Sequence, residues 1–270
     1  MLYVRKKDGR IEPFTRSKII STCIRAGGTY DVCCTITKEI ERKFGGIIDS
    51  GYLLSYVRNR LKELGLYEAY IRYPLKEALY SLEGKEFEWY VARLLALEGY
   101  RVTKKDSLTI QGKCIEHEID VLAERDRTTY IVECKHHMDL QILTDLTAVM
   151  KHYARFLDIK HRFRKPVPMV ITNTKFTPHA IRYSRCVGMI LIGWNVPYSR
   201  GINAIIEKHK AYPLTLFNIE KYYRDLLRDH KIYTTLDLYY RWNEAVNILP
   251  RRITNKVKKY FKILYNASNY

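Results

Sequence analysis

"IEHEIDVLAERDRTTYIVECKHH", residues 115–137, alternates apolar and polar side chains on either side of a charged centre. Successive side chains of a strand point to opposite sides of a sheet, so alternation marks a strand with two unlike faces. Two such runs around the polar stretch ERDRTT predict a β-hairpin turning at Asp126–Arg127. In that register Asp120 stands opposite Glu133, and Glu118 opposite Lys135. Asp120, Glu133 and Lys135 then share one face. Ile115, Ile119, Val121, Val132, Cys134 and Met138 collect on the other, and a register shift by an even number keeps both sets together.

Directly opposed side chains have Cβ atoms ~5 Å apart, and like charges there repel. A divalent cation relieves that repulsion. Carboxylate oxygens of Asp120 and Glu133, with the carbonyl of Cys134, suit Mg²⁺ or Mn²⁺. Such an ion polarises a phosphoryl oxygen and makes water a better nucleophile near neutral pH. Lys135 beside it can position that water or stabilise charge developing on phosphate. The same letters also describe a surface hairpin with cross-strand ion pairs, Glu118–Lys135 among them, and D-x(12)-E-x-K alone is a common string.

The flanking sequence supplies context. Upstream, KEFEWYVARLLALEG is an amphipathic helix with Phe87, Val91, Leu94 and Leu95 on one stripe and a stop at Gly99. Downstream come a helix over 141–157 and strands in PVPMVIT and GMILIGW, an interleaving that predicts an α/β domain. TNTKFT, residues 172–177, reads either as a phosphate-holding loop or as a plain connection with Thr177 as N-cap and Pro178 at the first helical position. Residues 1–80 open with a hairpin, YVRKKDGRIEPF, turning at Asp8–Gly9, and continue as helices. From Pro213 short helices lead to a basic last helix bearing Arg251, Arg252, Lys256, Lys258, Lys259 and Lys262. Three units are therefore expected, over 1–80, 84–212 and 213–270, in a multi-domain α/β (α+β) chain.

Composition narrows the class. Of 270 residues 47% are hydrophobic, enough for real cores, while 47 Lys+Arg against 29 Asp+Glu leave a net charge of +18. That excess attracts polyanions such as nucleic acid, through release of counterions from phosphates. Enrichment in Lys and Arg with only two glutamines also fits a hot habitat. No apolar run has transmembrane length and the N-terminus has no secretory pattern, so a cytoplasmic protein without membrane contact is expected. The six cysteines, at 23, 33, 34, 114, 134 and 186, contain no CxxC. They predict neither a zinc ribbon nor a disulfide framework, only small buried residues.

Taken in order, GKEFEWYVARLLALEGYRV, GKCIEHEIDVLAE, YIVECKHH, VITNTKFTPHAIRYSR and LIGWN resemble the PD-(D/E)xK nuclease superfamily, and within it the Mrr-like restriction endonucleases. The resemblance spans residues 84–212. It implies a central mixed sheet flanked by helices, a metal site with Asp120 and Glu133 as ligands, Lys135 as the catalytic lysine, and Glu88 as a further acid. Glu88 stands four residues after Gly84, as in related archaeal Holliday-junction resolvases. The implied substrate is double-stranded or branched DNA. One departure concerns the glutamine-containing helix motif many members carry after the lysine: Gln141 falls early here, and MKHYARF stands further along.

VRKKDGRIEPFTRSKI and GGIIDSGYLLSYVRNRL resemble an ATP-cone, a regulatory nucleotide-binding domain, over residues 2–80. The resemblance implies ATP or dATP as an effector, bound through Lys6, Lys7, Glu12, Thr15, Lys18 and Ser50. A histidine found in some cones four residues after the Ser50 position is Leu54 here. The residues themselves place Thr15 or Ser17 at a helix N-terminus beside lysines, an arrangement that favours a triphosphate. No GxxxxGK[ST] occurs, which argues against a P-loop engine. A basic hairpin touching DNA is the other reading. LLRDHKIYTTLDLYYRWNEAV resembles the helix-hairpin-helix segments that grip DNA backbones, with ILPRRI where their glycine turn belongs. The C-terminal helices are expected to bind DNA or to dimerise, within a homodimer or larger homo-oligomer. Two functions follow: a nucleotide-regulated, metal-dependent DNA endonuclease, or an ATP-responsive DNA-binding regulator whose nuclease fold does not cut. An RNA-directed nuclease stays open.

Overall fold

The computed structural model describes residues 2–6, 8–104, 108–139, 142–196 and 201–266. The chain divides into two compact units, Met1–Lys76 with Arg252–Tyr270, and Glu77–Arg251. In the first, strand β1 (Leu2–Arg5) is central, with β2 (Ile11–Pro13) antiparallel on one side and β3 (Gly46–Asp49) parallel on the other. The hairpin closes through the Lys6 N–H to the Arg10 carbonyl, with Gly9 at φ +86°. Helices α1 (Arg16–Arg25), α2 (Tyr30–Lys43), α3 (Ser50–Glu63) and α4 (Tyr67–Arg72) complete the unit. Their core runs through Val4, Ile36, Ile40, Val57 and Leu61.

The second unit begins within α5 (Leu75–Tyr80). It continues through α6 (Gly84–Leu97), β4 (Arg101–Thr103), β5 (Thr109–Gln111), β6 (Glu116–Glu118), β7 (Val121–Arg125) and β8 (Thr128–Lys135). Then come α7 (Leu146–Ile159), β9 (Pro166–Thr172), α8 (Pro178–Cys186), β10 (Ile190–Ile192) and α9 (Ile202–His209). Short helices α10 (Lys221–Asp229), α11 (Thr235–Tyr240) and α12 (Trp242–Ala245) follow. The five-stranded sheet has the order β10-β9-β8-β7-β4, with β8, β9 and β10 parallel and β7 and β4 antiparallel. Strand β8 is thus central. The mixed α/β architecture agrees with the expected restriction-endonuclease-like fold.

The expected hairpin register holds, with Val121 paired to Val132 and Leu122 to Ile131. Asp126 and Arg127 take φ of +52° and +61°, the left-handed pair a tight two-residue turn requires. The expected length of the hairpin does not hold. The first strand breaks at Ile119–Asp120, and β6 pairs instead with β5, so Glu118 faces Thr109 rather than Lys135. Ile115 and Met138 consequently leave the apolar face and are 61% and 82% exposed. Nor is the chemical face bare, because α7 covers its middle. Ile131 packs there with Phe156 and Ile159.

No division between the two compact units falls at residue 213. Residues 213–251 belong to the second unit because they brace α6. Arg224 pairs with Glu86 at 2.7 Å, Asp237 with Arg93 at 2.7 Å, and Tyr233 stacks on Trp89 with ring centroids 5.4 Å apart. The last helix, α13 (Arg251–Leu264), joins the first unit after its opening residue. It buries Ile253, Val257, Phe261 and Leu264, and Tyr260 hydrogen-bonds Tyr70 of α4. Its apolar stripe is therefore used inside the fold, while Arg251, Arg252, Lys259 and Lys262 stay exposed. No helix among the described residues is long and apolar enough to cross a membrane.

Contrary to expectation, Cys23 and Cys33 form a disulfide, both fully buried. The turn at Gly27–Gly28 folds α1 against α2 and brings the two together. A Cβ at Gly28 would lie 2.7 and 2.8 Å from their sulfurs, so the glycine is required by the close approach. Alkylation of the denatured, unreduced chain is expected to count four free thiols, and six after reduction. Replacing both bonded cysteines by alanine should lower stability by about 2–3 kcal/mol in chemical unfolding, the entropy of closing a short loop.

Candidate active site

The site forms at the C-terminal end of β8, the end at which ligands of open α/β sheets collect. Asp120 lies one residue beyond the last ladder pair, Val121–Val132. Its Oδ2 accepts the backbone N–H of Cys134 at 2.7 Å. That N–H is its one hydrogen-bond partner among the described residues. Burial first, and the Glu133 carboxylate second, push the Asp120 carboxyl up to about 7; Glu88 adds to the shift.

Glu133 has a different environment. Its side chain is 6% exposed, and both oxygens are held by cations. Oε1 lies 2.5 Å from Lys135 Nζ, and Oε2 lies 2.9 Å from Arg155 Nη1. Burial alone would raise its carboxyl, yet Lys135 above all, then His152 and Arg155, hold it below the ordinary value. Two neighbouring acids are thus driven apart by their partners.

The four remaining site residues come from around the sheet. Glu88, on α6, pairs with Lys104 just past β4 at 2.6 Å. Lys104 is almost wholly buried, with its Nζ 5.4 Å from the Trp89 ring. His152 and Arg155 sit three apart on α7 and so share its inner face. His152 donates its Nε2–H to the Ile131 carbonyl at 3.0 Å, while Nδ1 stands 3.7 Å from Glu133 without a hydrogen bond. Sequence reasoning missed Lys104, His152 and Arg155. The i, i+3 spacing in MKHYARF was visible, but not that its face would cover β8.

The structure thus brings Asp120, Glu133, Lys135 and Glu88 into one neighbourhood, with the Cys134 backbone between the two central acids. Among the described residues no group of three or more His, Cys, Asp or Glu stands arranged as a metal cage. The ion pairs account for this: Glu133 is spent on Lys135 and Arg155, and Glu88 on Lys104. Of these three acids Asp120 forms no salt bridge among the described residues, although Lys135 offsets part of the rise in its carboxyl. Hard oxygen donors few in number suit Mg²⁺, which keeps several waters of its own.

The histidines have structural partners. His117 lies 2.9 Å from Asp158, His136 lies 3.3 Å from the Leu79 carbonyl, and His137 lies 3.1 Å from Thr144 Oγ1. TNTKFT takes the plain reading. Thr172 and Thr174 bond each other and Thr144, Asn173 brackets the His137 backbone, and Thr177 caps α8. Gln141 lies outside the described residues, as does Lys7. In the first unit Lys6 and Lys18 both pair with Glu12, at 3.4 and 3.2 Å. Thr15 occupies the N-cap position of α1, but its hydroxyl donates to the Pro13 carbonyl at 3.3 Å rather than capping. Ser50 opens α3 after Asp49, whose strand partner is Arg5.

The raised Asp120 carboxyl has a consequence for stability. Between pH 4 and 7 the folded chain keeps a proton there that the unfolded chain has lost, so stability falls as pH rises through that window. Asp120→Asn removes the penalty. In urea unfolding with EDTA, the variant is expected to exceed wild type by about 2–4 kcal/mol at pH 8 and to match it at pH 4.

Residues 79–193 match the family described as Mrr catalytic, restriction endonuclease. An uncharacterized protein of Archaeoglobus fulgidus is 44% identical over 132 residues, which cover 48% of this chain and 73% of that protein. A second, also uncharacterized and from the same organism, is 46% identical over 44 residues, 16% of this chain and 94% of its own. A crystal structure of a protein of unknown function, AF1548, is similar with a TM-score of 0.59 at 34% identity, covering 68% of this chain and all of that one. The acids at the end of β8 thus lie inside a restriction-endonuclease-like domain, and the chain belongs with these uncharacterized relatives to one family.

Proposed function

We propose that the chain is a divalent-metal-dependent DNA endonuclease whose first unit binds ATP or dATP as a regulator. The observation that carries the catalytic half is Asp120. A largely buried carboxylate that forms no salt bridge among the described residues, beside the Glu133 carboxylate, is costly unless a positive ion joins it. The match to a restriction endonuclease family and the net charge of +18 supply the substrate class, DNA. Asp120, Glu133 Oε1 and the Cys134 carbonyl would hold Mg²⁺ or Mn²⁺. When bound, that ion supplies charge stabilisation at phosphate and a more acidic water. Lys135, freed from Glu133, holds the attacking water or the phosphate oxygen. Glu88 stays on Lys104 and shapes the field at Asp120.

The regulatory half rests on the Lys6–Glu12–Lys18 group. Two lysines on one carboxylate keep an excess positive charge, and α1 starts without a side-chain cap or an acid in its first turn. A polyphosphate suits both. ATP can alter cleavage only by binding two states of the chain unequally.

Supercoiled plasmid with Mg²⁺ is expected to be nicked, and EDTA to stop it. Asp120→Ala and Lys135→Ala should each lower the rate at least about a hundredfold. Cleavage at the wild-type rate by either variant, or DNA retention in gels with no cutting under any divalent ion, would point to the non-cutting regulator instead. Calorimetric titration with ATP is expected to show binding that Lys18→Ala weakens several-fold; no heat from wild type would remove the nucleotide role.

A further inference from the structure

Arg155 is not part of the D-x(12)-E-x-K constellation, yet its guanidinium holds one oxygen of a proposed metal ligand. Its side chain is 28% exposed, against 6% for the Glu133 it grips, so it reaches from the rim of the site inward. Three carboxylates, Glu88, Asp120 and Glu133, share the site with three cations, Lys104, Lys135 and Arg155. Their formal charges balance. Adding a divalent ion leaves two positive charges in excess, and an excess buried charge requires an anion. Lys104 stays nearly sealed on Glu88, whereas Arg155 is partly open to solvent at the rim. An arginine fork matches two oxygens of a phosphate, which a lysine cannot do.

We infer that Arg155 is a DNA-phosphate-binding residue, held on Glu133 in the metal-free chain and released to a backbone phosphate when a divalent ion takes the acid. This rests on the metal-dependent nuclease reading and adds a second substrate contact from α7. Glu133 would act as a placeholder for the guanidinium until its charge is claimed. A guanidinium that only positioned Glu133 would behave differently on removal: metal binding would suffer and DNA binding would not. For the released role the order reverses, because taking away a cation next to Glu133 leaves the acid more attractive to a metal.

The test uses the full chain as wild type, Arg155→Gln and Arg155→Lys, with thermal unfolding to confirm that each folds. Mn²⁺ binding is measured by calorimetry, and duplex DNA binding with Ca²⁺ is followed across a salt series. Expected for Arg155→Gln are Mn²⁺ binding at least as tight as wild type, DNA affinity lower by about tenfold, and a salt dependence smaller by about one phosphate contact. Arg155→Lys should keep the salt dependence and lose part of the affinity, and it decides the matter if the glutamine variant does not fold. DNA affinity and salt slope within twofold of wild type in Arg155→Gln overturn the inference, as does undiminished DNA affinity in Arg155→Lys. Wild type that takes up no Mn²⁺ overturns the metal reading itself, a result distinct from unaltered DNA binding by a chain that does bind the ion.

Discussion

Taking two neighbouring carboxylates out of water is the constraint to which the rest of the second unit answers. The backbone sets it: once β7 and β8 pair in the observed register, Asp120 comes to the end of the ladder beside Glu133. Each acid then needs a partner, and they find unequal ones. Glu133 draws a lysine from its own strand and an arginine from the crossover helix. Asp120 receives one backbone N–H and holds its proton up to about pH 7. The asymmetry gives the site a fixed acid and a vacant one, an arrangement that serves an incoming cation better than two satisfied carboxylates.

Much of this was legible because strand periodicity is exact where both faces are defined. Asp126–Arg127 as the turn, the register of β7 on β8, and the shared face of Glu133 and Lys135 on β8 all followed from alternation. The apolar stripe Phe87, Val91, Leu94 and Leu95 likewise became the buried side of α6. What escaped was set by partners distant in sequence. The kink at Ile119–Asp120 is drawn by β5, because the β6 backbone finds a ladder there. Alternation in residues 115–119 could not reveal it, since both halves alternate.

The cover over β8 was hidden for a related reason. His152 and Arg155 lie in a helix whose inner face is decided by the parallel β8–β9 crossover, not by local spacing. Lys104 was hidden because a lysine just past a short strand ordinarily reads as solvated; the Glu88 carboxylate and the Trp89 ring make its burial tolerable. The fate of the C-terminal segment was no more visible. Its amphipathic helices announce a buried stripe without saying which core receives it, and α10–α12 and α13 went to different ones.

The two units use one device at different depths. In the first, Glu12 holds Lys6 and Lys18; in the second, Glu133 holds Lys135 and Arg155. Glu12 is 31% exposed, so its ion pairs are worth little and a nucleotide could draw its lysines away while water covers the acid. Glu133 is 6% exposed, and stripping it of cations would leave a buried charge at a cost of several kcal/mol. Its cations can leave only as another cation arrives. Depth therefore converts the same ion-pair pattern from a loose store of basic side chains into an obligate exchange. On the proposed reading, that exchange is what would keep Lys135 and Arg155 from engaging phosphate before the metal is in place.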